Sequence, residues 1–169
     1  CAHHLASKIG AEVMKKGGNA FDAGIAVQFA LAVVYPAAGN IGGGGFMVAR
    51  MDSGYSYSID FREKAPGGST KNMYLDAAGN IKENLSLEGH LAAGVPGTVD
   101  GIFQMLKFAK LSLKELIDPA IELAEKGFKL SDQEAKQLNA LQQKFLAYNS
   151  STIAFVKTKG WKAGDLLVQ

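Results

Sequence analysis

Arg62 is the residue whose type and position best suit it to bind a charged ligand. It directly follows an alternating segment, residues 55–61, that is typical of a β-strand, and it precedes Glu63. A guanidinium offers a planar fork of N–H donors that binds a carboxylate through two hydrogen bonds. An arginine beside a glutamate can equally form an exposed ion pair, which is common and contributes little. The pattern leaves both interpretations open, and the position at a strand end favours binding.

Four consecutive glycines, residues 42–45, precede the strands that lead to Arg62. Glycine has no Cβ atom, so such a run lets the backbone approach other groups closely. The run lacks the Lys-Ser or Lys-Thr pair of a phosphate-binding loop, and it leads into a strand where a dinucleotide-binding motif leads into a helix. The pattern excludes a nucleotide motif and favours a structural turn over a loop that faces a ligand.

A cysteine and three histidines are the other residues that could do chemistry. Cys1 could act as a nucleophile with its own amine as the base, but no strand precedes it to build such a site. Cys1, His3 and His4 could instead bind copper or nickel through nitrogen ligands. His90 has no catalytic or metal-binding pattern around it, and Thr98 is predicted to cap the helix that follows it.

The composition is typical of a globular protein. The chain has 169 residues, of which 47% are hydrophobic and 20% charged, with a net charge of +2. These values fit one domain and exclude a disordered tail, and so small a charge does not indicate nucleic-acid binding. A single cysteine rules out an internal disulfide. The longest apolar stretch, residues 29–38, is about half of the ~20 residues that a membrane span needs.

Two helices are predicted before the glycine run. Residues 6–16 have an amphipathic pattern, whereas residues 20–34 are apolar almost all round. The second helix must therefore be covered on most sides. Asp22 and Gln28 interrupt its apolar surface, and each is expected to have a polar partner because an unpaired buried polar group is costly.

A β-hairpin is predicted after the glycine run. Its strands are residues 46–51 and 55–61, joined by a short turn that contains Gly54. Helices, a hairpin and further helices, in that order, predict an α+β fold with antiparallel strands. Two strands do not form a stable sheet alone, so a larger sheet is expected than this chain supplies.

Helical spacing resumes in the second half of the chain, over residues 98–109. Ser112 and Ser131 each begin a capping-box pattern, the signature of a helix start. Pro119 is assigned to the first turn of a separate helix capped by Asp118, because proline fits poorly inside a helix.

Long stretches of the chain match a known family. The segments GGNAFDAGIAVQFALAVVYPAAGNIGGGGF, IDFREKAP, GHLAAGVPGTVDG and LIDPAIELAEKGF resemble the large subunit of bacterial gamma-glutamyltranspeptidases, in order and at the family's spacing. The resemblance implies that residues 1–169 are a single partial domain of an N-terminal nucleophile (Ntn) hydrolase, an αββα sandwich. It also implies a precursor that cleaves itself into a large and a small subunit.

The resemblance further implies a reaction and a role for Arg62. The threonine that begins the small subunit would attack the gamma-glutamyl amide of glutathione or a related compound. The acyl-enzyme would then pass the group to water, an amino acid or a peptide. Arg62, in the DFRE motif, would bind the α-carboxylate of the gamma-glutamyl group. No catalytic residue, metal or cofactor is expected in this chain, since Thr70, Thr98, Thr152 and Thr158 do not match the nucleophile.

The expected partners are gamma-glutamyl compounds, acceptor amino acids or peptides, and the small subunit. Neither nucleic acid nor a membrane span is expected, and the resemblance implies a periplasmic or secreted location. By itself the chain is expected to be inactive. Two alternatives remain open, namely a cephalosporin or glutaryl acylase on the same scaffold and a self-standing binding domain.

Overall fold

Helices and short antiparallel strand pairs alternate along the chain. The computed structural model describes residues 1–151 and 153–169. Within these ranges the helices are α1 (His4–Lys15), α2 (Ala20–Val34), α3 (Thr98–Leu106), α4 (Leu113–Lys126) and α5 (Asp132–Tyr148). The strands are β1 (Phe46–Arg50), β2 (Ser56–Asp60), β3 (Phe128–Lys129) and β4 (Leu166–Leu167). Cys1–Gly39 and Phe108–Gln169 form one compact unit, and Asn40–Lys107 form a second.

Helix α2 has the bounds that the sequence predicts. Its start is a capping box, in which the Asn19 side chain accepts hydrogen bonds from the backbone of Phe21 and Asp22. Its end is Tyr35, the residue before Pro36, where proline disfavours helical geometry. These local signals set both ends of the helix.

The core of the first unit lies between α2, α5 and the strand pair β3–β4. It contains nine buried apolar side chains: Ala6, Ala30, Val34, Phe128, Leu130, Ala135, Leu138, Trp161 and Leu167. Helix α1 packs closely on α2, because a Cβ atom on Gly10 would lie 2.7 Å from Cγ2 of Val27. Phe29 and Val33 of α2 are only half-buried, so the described residues cover this helix incompletely.

Asp22 is fully buried, and its carboxylate has the polar partners that the sequence requires. The backbone N–H of Asn19 donates to Oδ2 at 2.7 Å, and that of Leu111 donates to Oδ1 at 2.9 Å. The N–H of Lys110 lies within 3.1 Å of both oxygens. Burial, the largest influence, acts to raise the pKa of Asp22, but these N–H donors together outweigh it and hold the pKa below its usual value. Gln28 is half-buried and also has an interaction partner.

The prediction of a helix break at Pro119 is wrong. Helix α4 runs without interruption from Leu113 to Lys126 with Pro119 inside it. Proline forfeits one backbone hydrogen bond, but Leu116 before it and Ala120 after it are both buried. A continuous helix keeps both side chains on one packed face, and this burial outweighs the lost bond. Asp118 pairs with Lys114 one turn earlier instead of capping a new helix.

The second unit is built around the predicted hairpin. Strands β1 and β2 are antiparallel, with Phe46 opposite Asp60 and Arg50 opposite Ser56. The turn between them contains Gly54 with a φ of +84°, an angle that favours glycine. Burial alternates along both strands, and the outer face exposes Val48 to 82%.

The α+β class is confirmed, since helices combine with antiparallel strands in both units. Each sheet formed by the described residues has two strands. The pair β3–β4 was not predicted, because two-residue strands carry no periodic signal. No helix within the described residues is long and apolar enough to cross a membrane. The assignment of the chain to a single partial domain stays a prediction.

Candidate anion-binding site

Arg62 lies two residues beyond the end of β2, close to the strand end at which the sequence predicts it. Its backbone N–H donates to Oδ1 of Asp60 at 3.0 Å, which fixes the chain as it leaves the strand. Its Nε donates to Oε2 of Glu63 at 3.1 Å. The guanidinium carbon lies 5.6 Å from the centre of the Phe46 ring, within the range of a cation–π contact. Glu63 and Phe46 therefore orient the side chain, while Asp60 fixes the backbone.

The outer end of the Arg62 guanidinium is available to a ligand. Its side chain is 61% exposed, and neither Nη1 nor Nη2 has a hydrogen-bond partner among the described residues. Because Nε is already bonded to Glu63, an incoming carboxylate would bind the two terminal nitrogens. This arrangement is the planar two-bond geometry that arginine offers to carboxylates.

Glu63 is held as an anion beside the guanidinium. Its own backbone N–H is the largest influence that lowers its carboxyl pKa, followed by the Arg62 side chain. The backbone N–H of Gly44 lowers the pKa further. The glycine run and the arginine thus both favour the charged form of Glu63.

The glycines pack against the residues that carry Arg62. A Cβ atom on Gly44 would lie 2.6 Å from the Phe61 carbonyl oxygen and 2.8 Å from the Glu63 nitrogen. A Cβ on Gly45 would lie 2.9 Å from the Phe61 ring. Gly42, by contrast, has open space on its Cβ side. The structural interpretation of the run is confirmed, and its reason is the close approach to residues 61–63.

Thr98 does not cap α3, contrary to the prediction. Gly97 occupies the cap position, and the carbonyl of Gly43 accepts hydrogen bonds from the backbone N–H groups of Gly97 and Thr98. Backbone capping frees the Thr98 hydroxyl, which is fully buried and donates to Oδ1 of Asn40 at 2.7 Å. Asn40 was not singled out from the sequence. Its one signal in the sequence is its place three residues before Gly43, whose N–H it accepts at 2.9 Å.

A surface cleft of about 550 Å³ begins at Arg62 and Glu63. Lys64 and Tyr74 contribute polar groups to its wall, and Leu91 contributes apolar surface. The Tyr74 hydroxyl donates to the Leu91 carbonyl at 3.0 Å, which links two residues of the cleft wall. Space for an anionic ligand therefore adjoins Arg62.

The polar groups at the start of the chain are engaged in local contacts. The Cys1 sulfur is exposed and lies 3.1 Å from the Ser7 hydroxyl, and the Cys1 amine, the base in that interpretation, donates to the same hydroxyl at 3.2 Å. His3 is used structurally, since Nδ1 accepts from the Leu5 N–H and Nε2 lies 3.1 Å from Glu134. Across residues 1–151 and 153–169, no three His, Cys, Asp or Glu side chains cluster to hold a metal ion.

The remaining candidates add no chemistry to the site. His90 is exposed in a single 3-10 turn, His90–Ala92. Thr70 and Thr158 are also exposed. Thr152 lies outside the described residues.

Comparison with known proteins places residues 6–169 in the family described as gamma-glutamyltranspeptidase. A glutathione hydrolase proenzyme from Pseudomonas sp. (strain A14) is 48% identical over 171 aligned residues, which cover 99% of this chain and 30% of that protein. The chain thus spans under a third of the length of this relative.

Solved structures share the fold. A crystal structure of Helicobacter pylori gamma-glutamyltranspeptidase matches all of this chain and 49% of its own, with a TM-score of 0.95 and 52% identity. A cephalosporin acylase from Bacillus halodurans matches 97% of this chain and 32% of its own, with a TM-score of 0.79 and 23% identity. The second likeness is one of fold alone.

Proposed function

This chain belongs to the gamma-glutamyltranspeptidase family, and on that premise we propose that it is part of an enzyme that cleaves gamma-glutamyl amides. Within that enzyme Arg62 binds the α-carboxylate of the gamma-glutamyl group. The observation that carries the role is the geometry of Arg62. Its Nε is bonded to Glu63 while its Nη1 and Nη2 point to no partner in the described part of the chain.

The proposed reaction divides the work between this chain and the rest of the protein. Arg62 binds one end of the substrate, and this holds the gamma-amide carbonyl at a constant distance from the guanidinium. A threonine freed by self-cleavage of the precursor attacks that carbonyl and forms an acyl-enzyme, and the amine leaves. Water, an amino acid or a peptide then takes the acyl group. Correct placement of a substrate can by itself lower a barrier substantially.

The proposal requires more protein than this chain, and two features of its surface support that. Helix α2 is incompletely covered in the first unit, and the outer face of the hairpin exposes Phe46 and Val48 in the second. We infer that further strands and helices complete an αββα sandwich of the Ntn-hydrolase type. The small subunit from the same precursor is the proposed partner, and the periplasm or the exterior is the proposed location.

Glutathione and other gamma-glutamyl compounds are favoured over acylase substrates. The glutathione hydrolase proenzyme is 48% identical to this chain, whereas the acylase is 23% identical. An arginine clamp also suits a substrate with a free α-carboxylate. Side-by-side assays of the complete enzyme on glutathione and on a glutaryl amide distinguish the two, and faster turnover of the glutaryl amide would favour the acylase.

Substitution of Arg62 in the complete enzyme tests the clamp. We expect Arg62→Ala to raise the KM for a gamma-glutamyl anilide about 30-fold or more, because hydrogen bonds to charged groups contribute about 1.5–3 kcal/mol each and the variant loses both of them. Arg62→Lys should be impaired too, since an ammonium lacks the planar fork. Arg50→Ala, on the exposed end of β1, is the matched control. A near-normal KM for the Arg62→Ala enzyme would refute the clamp.

A self-standing binding domain is the competing, non-enzymatic function. An isolated 169-residue chain that lacks part of its sheet should melt without cooperativity and bind a hydrophobic dye. A sharp cooperative transition for the isolated chain would support the binding-domain alternative.

A further inference from the structure

The buried hydrogen bond between Thr98 and Asn40 lies behind the anion-binding site rather than in it. Thr98 is fully buried, and its hydroxyl donates to Oδ1 of Asn40 at 2.7 Å. The same oxygen accepts the Gly43 N–H at 2.9 Å. One side-chain oxygen thereby joins the first turn of α3 to the glycine run.

The backbone reinforces this junction from the other direction. The Gly43 carbonyl accepts hydrogen bonds from the N–H groups of Gly97, at 2.8 Å, and of Thr98, at 3.0 Å. Gly43 is therefore bonded to α3 through its carbonyl and to Asn40 through its N–H. Three hydrogen bonds therefore hold Gly43 in place, just before the start of β1.

Contacts from this junction reach Arg62. Gly44, the next residue, packs against the Phe61 carbonyl and supplies an N–H that lowers the pKa of Glu63. The start of α3 also touches Phe61, since a Cβ on Gly97 would lie 2.0 Å from its carbonyl oxygen. The segment that carries Arg62 is thus held between the glycine run and α3, the two elements that the Asn40–Thr98 bond joins.

We propose that Asn40 and Thr98 are positioning residues that set the orientation of the Arg62 clamp. This proposal rests on the proposed function, because it assigns them an effect on substrate through Arg62. Neither side chain need touch the substrate. Loss of the Thr98 hydroxyl would loosen Gly43 and Gly44, and Glu63 would then hold the guanidinium less firmly.

The specific consequence is a loss of affinity confined to substrates with an α-carboxylate. In the complete enzyme, Thr98→Val removes the hydroxyl and keeps the side-chain shape. We expect it to raise the KM for gamma-glutamyl p-nitroanilide by up to about five-fold, the limit if the whole net contribution of one hydrogen bond is expressed in substrate binding, with a smaller change in kcat. The KM for 4-aminobutyryl p-nitroanilide, which lacks the carboxylate, should not change. Thr98→Ser should restore normal kinetics.

A double-mutant cycle with Arg62→Ala provides the decisive readout. Residues that act through a common group have non-additive effects, so Thr98→Val should add almost nothing once Arg62 is absent. Ser56→Ala, which removes an exposed hydroxyl from β2, is the control. Thr98→Ala is a second variant that lacks the hydroxyl. The measured quantity is KM, because KM does not depend on the fraction of enzyme that has been correctly processed.

The outcomes separate the two proposals. An unchanged KM in Thr98→Val, an equal rise with both substrates, or full additivity with Arg62→Ala would overturn the positioning role and leave the clamp intact. If neither hydroxyl-free variant folds, the residue is structural and the positioning role is rejected. If Arg62→Ala itself leaves KM unchanged, the proposed function fails.

Discussion

Arg62 donates through Nε to the carboxylate of its neighbour Glu63, at an N–O distance of 3.1 Å. Adjacent residues on an extended chain usually point apart, and the loop after β2 is what lets these two side chains meet. The bond occupies the inner edge of the guanidinium and leaves the outer edge for a ligand. An exposed ion pair contributes little to stability, so we expect this one to affect ligand binding more than folding.

Replacement of Glu63 should therefore weaken substrate binding without unfolding the protein. We expect Glu63→Ala in the complete enzyme to raise the KM for a gamma-glutamyl anilide by up to about five-fold, the scale of an exposed pair of at most ~1 kcal/mol. Glu63→Gln should have a smaller effect because its amide oxygen can still accept from Nε. The matched control is Glu83→Ala, an exposed glutamate of the same unit. An increase as large as that of Arg62→Ala would mean that Glu63 contacts the substrate itself.

Phe46 should contribute through its ring. The Arg62 guanidinium lies 5.6 Å from the ring centre, and an exposed cation–π contact is worth about 0.5–1 kcal/mol. We expect Phe46→Leu to raise the same KM about two- to five-fold, whereas Phe46→Tyr should be nearly neutral. Val48→Ala, on the same exposed face two residues along, should have no effect. If Phe46→Leu and Phe46→Tyr changed the KM equally, the cation–π contact would not contribute to substrate binding.

The glycine run allows a comparison between two positions that differ only in what lies beside them. A Cβ on Gly44 would be 2.6 Å from the Phe61 carbonyl oxygen, whereas a Cβ on Gly42 would meet nothing within 4 Å. Gly44→Ala should destabilise the complete protein by about 1–3 kcal/mol, the usual cost of overpacking. Gly42→Ala should be close to neutral. Thermal unfolding of the two variants checks this, and similar midpoints would contradict the close packing at Gly44.

His3 should make stability depend on pH. Burial, the largest influence, lowers the pKa of His3; Glu134 opposes this and His4 adds to it. The folded protein therefore keeps His3 neutral at pH values where the unfolded chain, with a pKa of about 6.5, takes up a proton. The contribution of His3 to stability is complete above pH ~6.5 and declines as the pH falls towards the folded pKa.

The variant His3→Asn keeps a helix-capping acceptor but does not titrate. We expect its unfolding midpoint in the complete protein to fall less than that of the native protein between pH 7.5 and pH 5.5. Parallel pH profiles for the two proteins would exclude His3 as the titrating group.

Local sequence signals predicted much of the secondary structure. Helix α2, the hairpin and the helix starts at Ser112 and Ser131 depend on short-range capping, alternation and turn residues, which act within a few positions of the chain. Pro119 shows where such signals fail. Its helix continues because the buried Leu116 and Ala120 favour one packed face, and that gain comes from residues distant in sequence.

The sequence by itself determined the family, the α+β class and the position of Arg62 at a strand end. Only the tertiary structure decided what surrounds the arginine. The Asn40–Thr98 bond joins residues 58 positions apart, and no local pattern specifies which distant hydroxyl meets which amide. Likewise, four glycines in sequence look equivalent, and only the packing of residues 61–63 distinguishes Gly44 from Gly42. Contacts between distant segments form only when the chain folds, because they depend on the packing of whole elements.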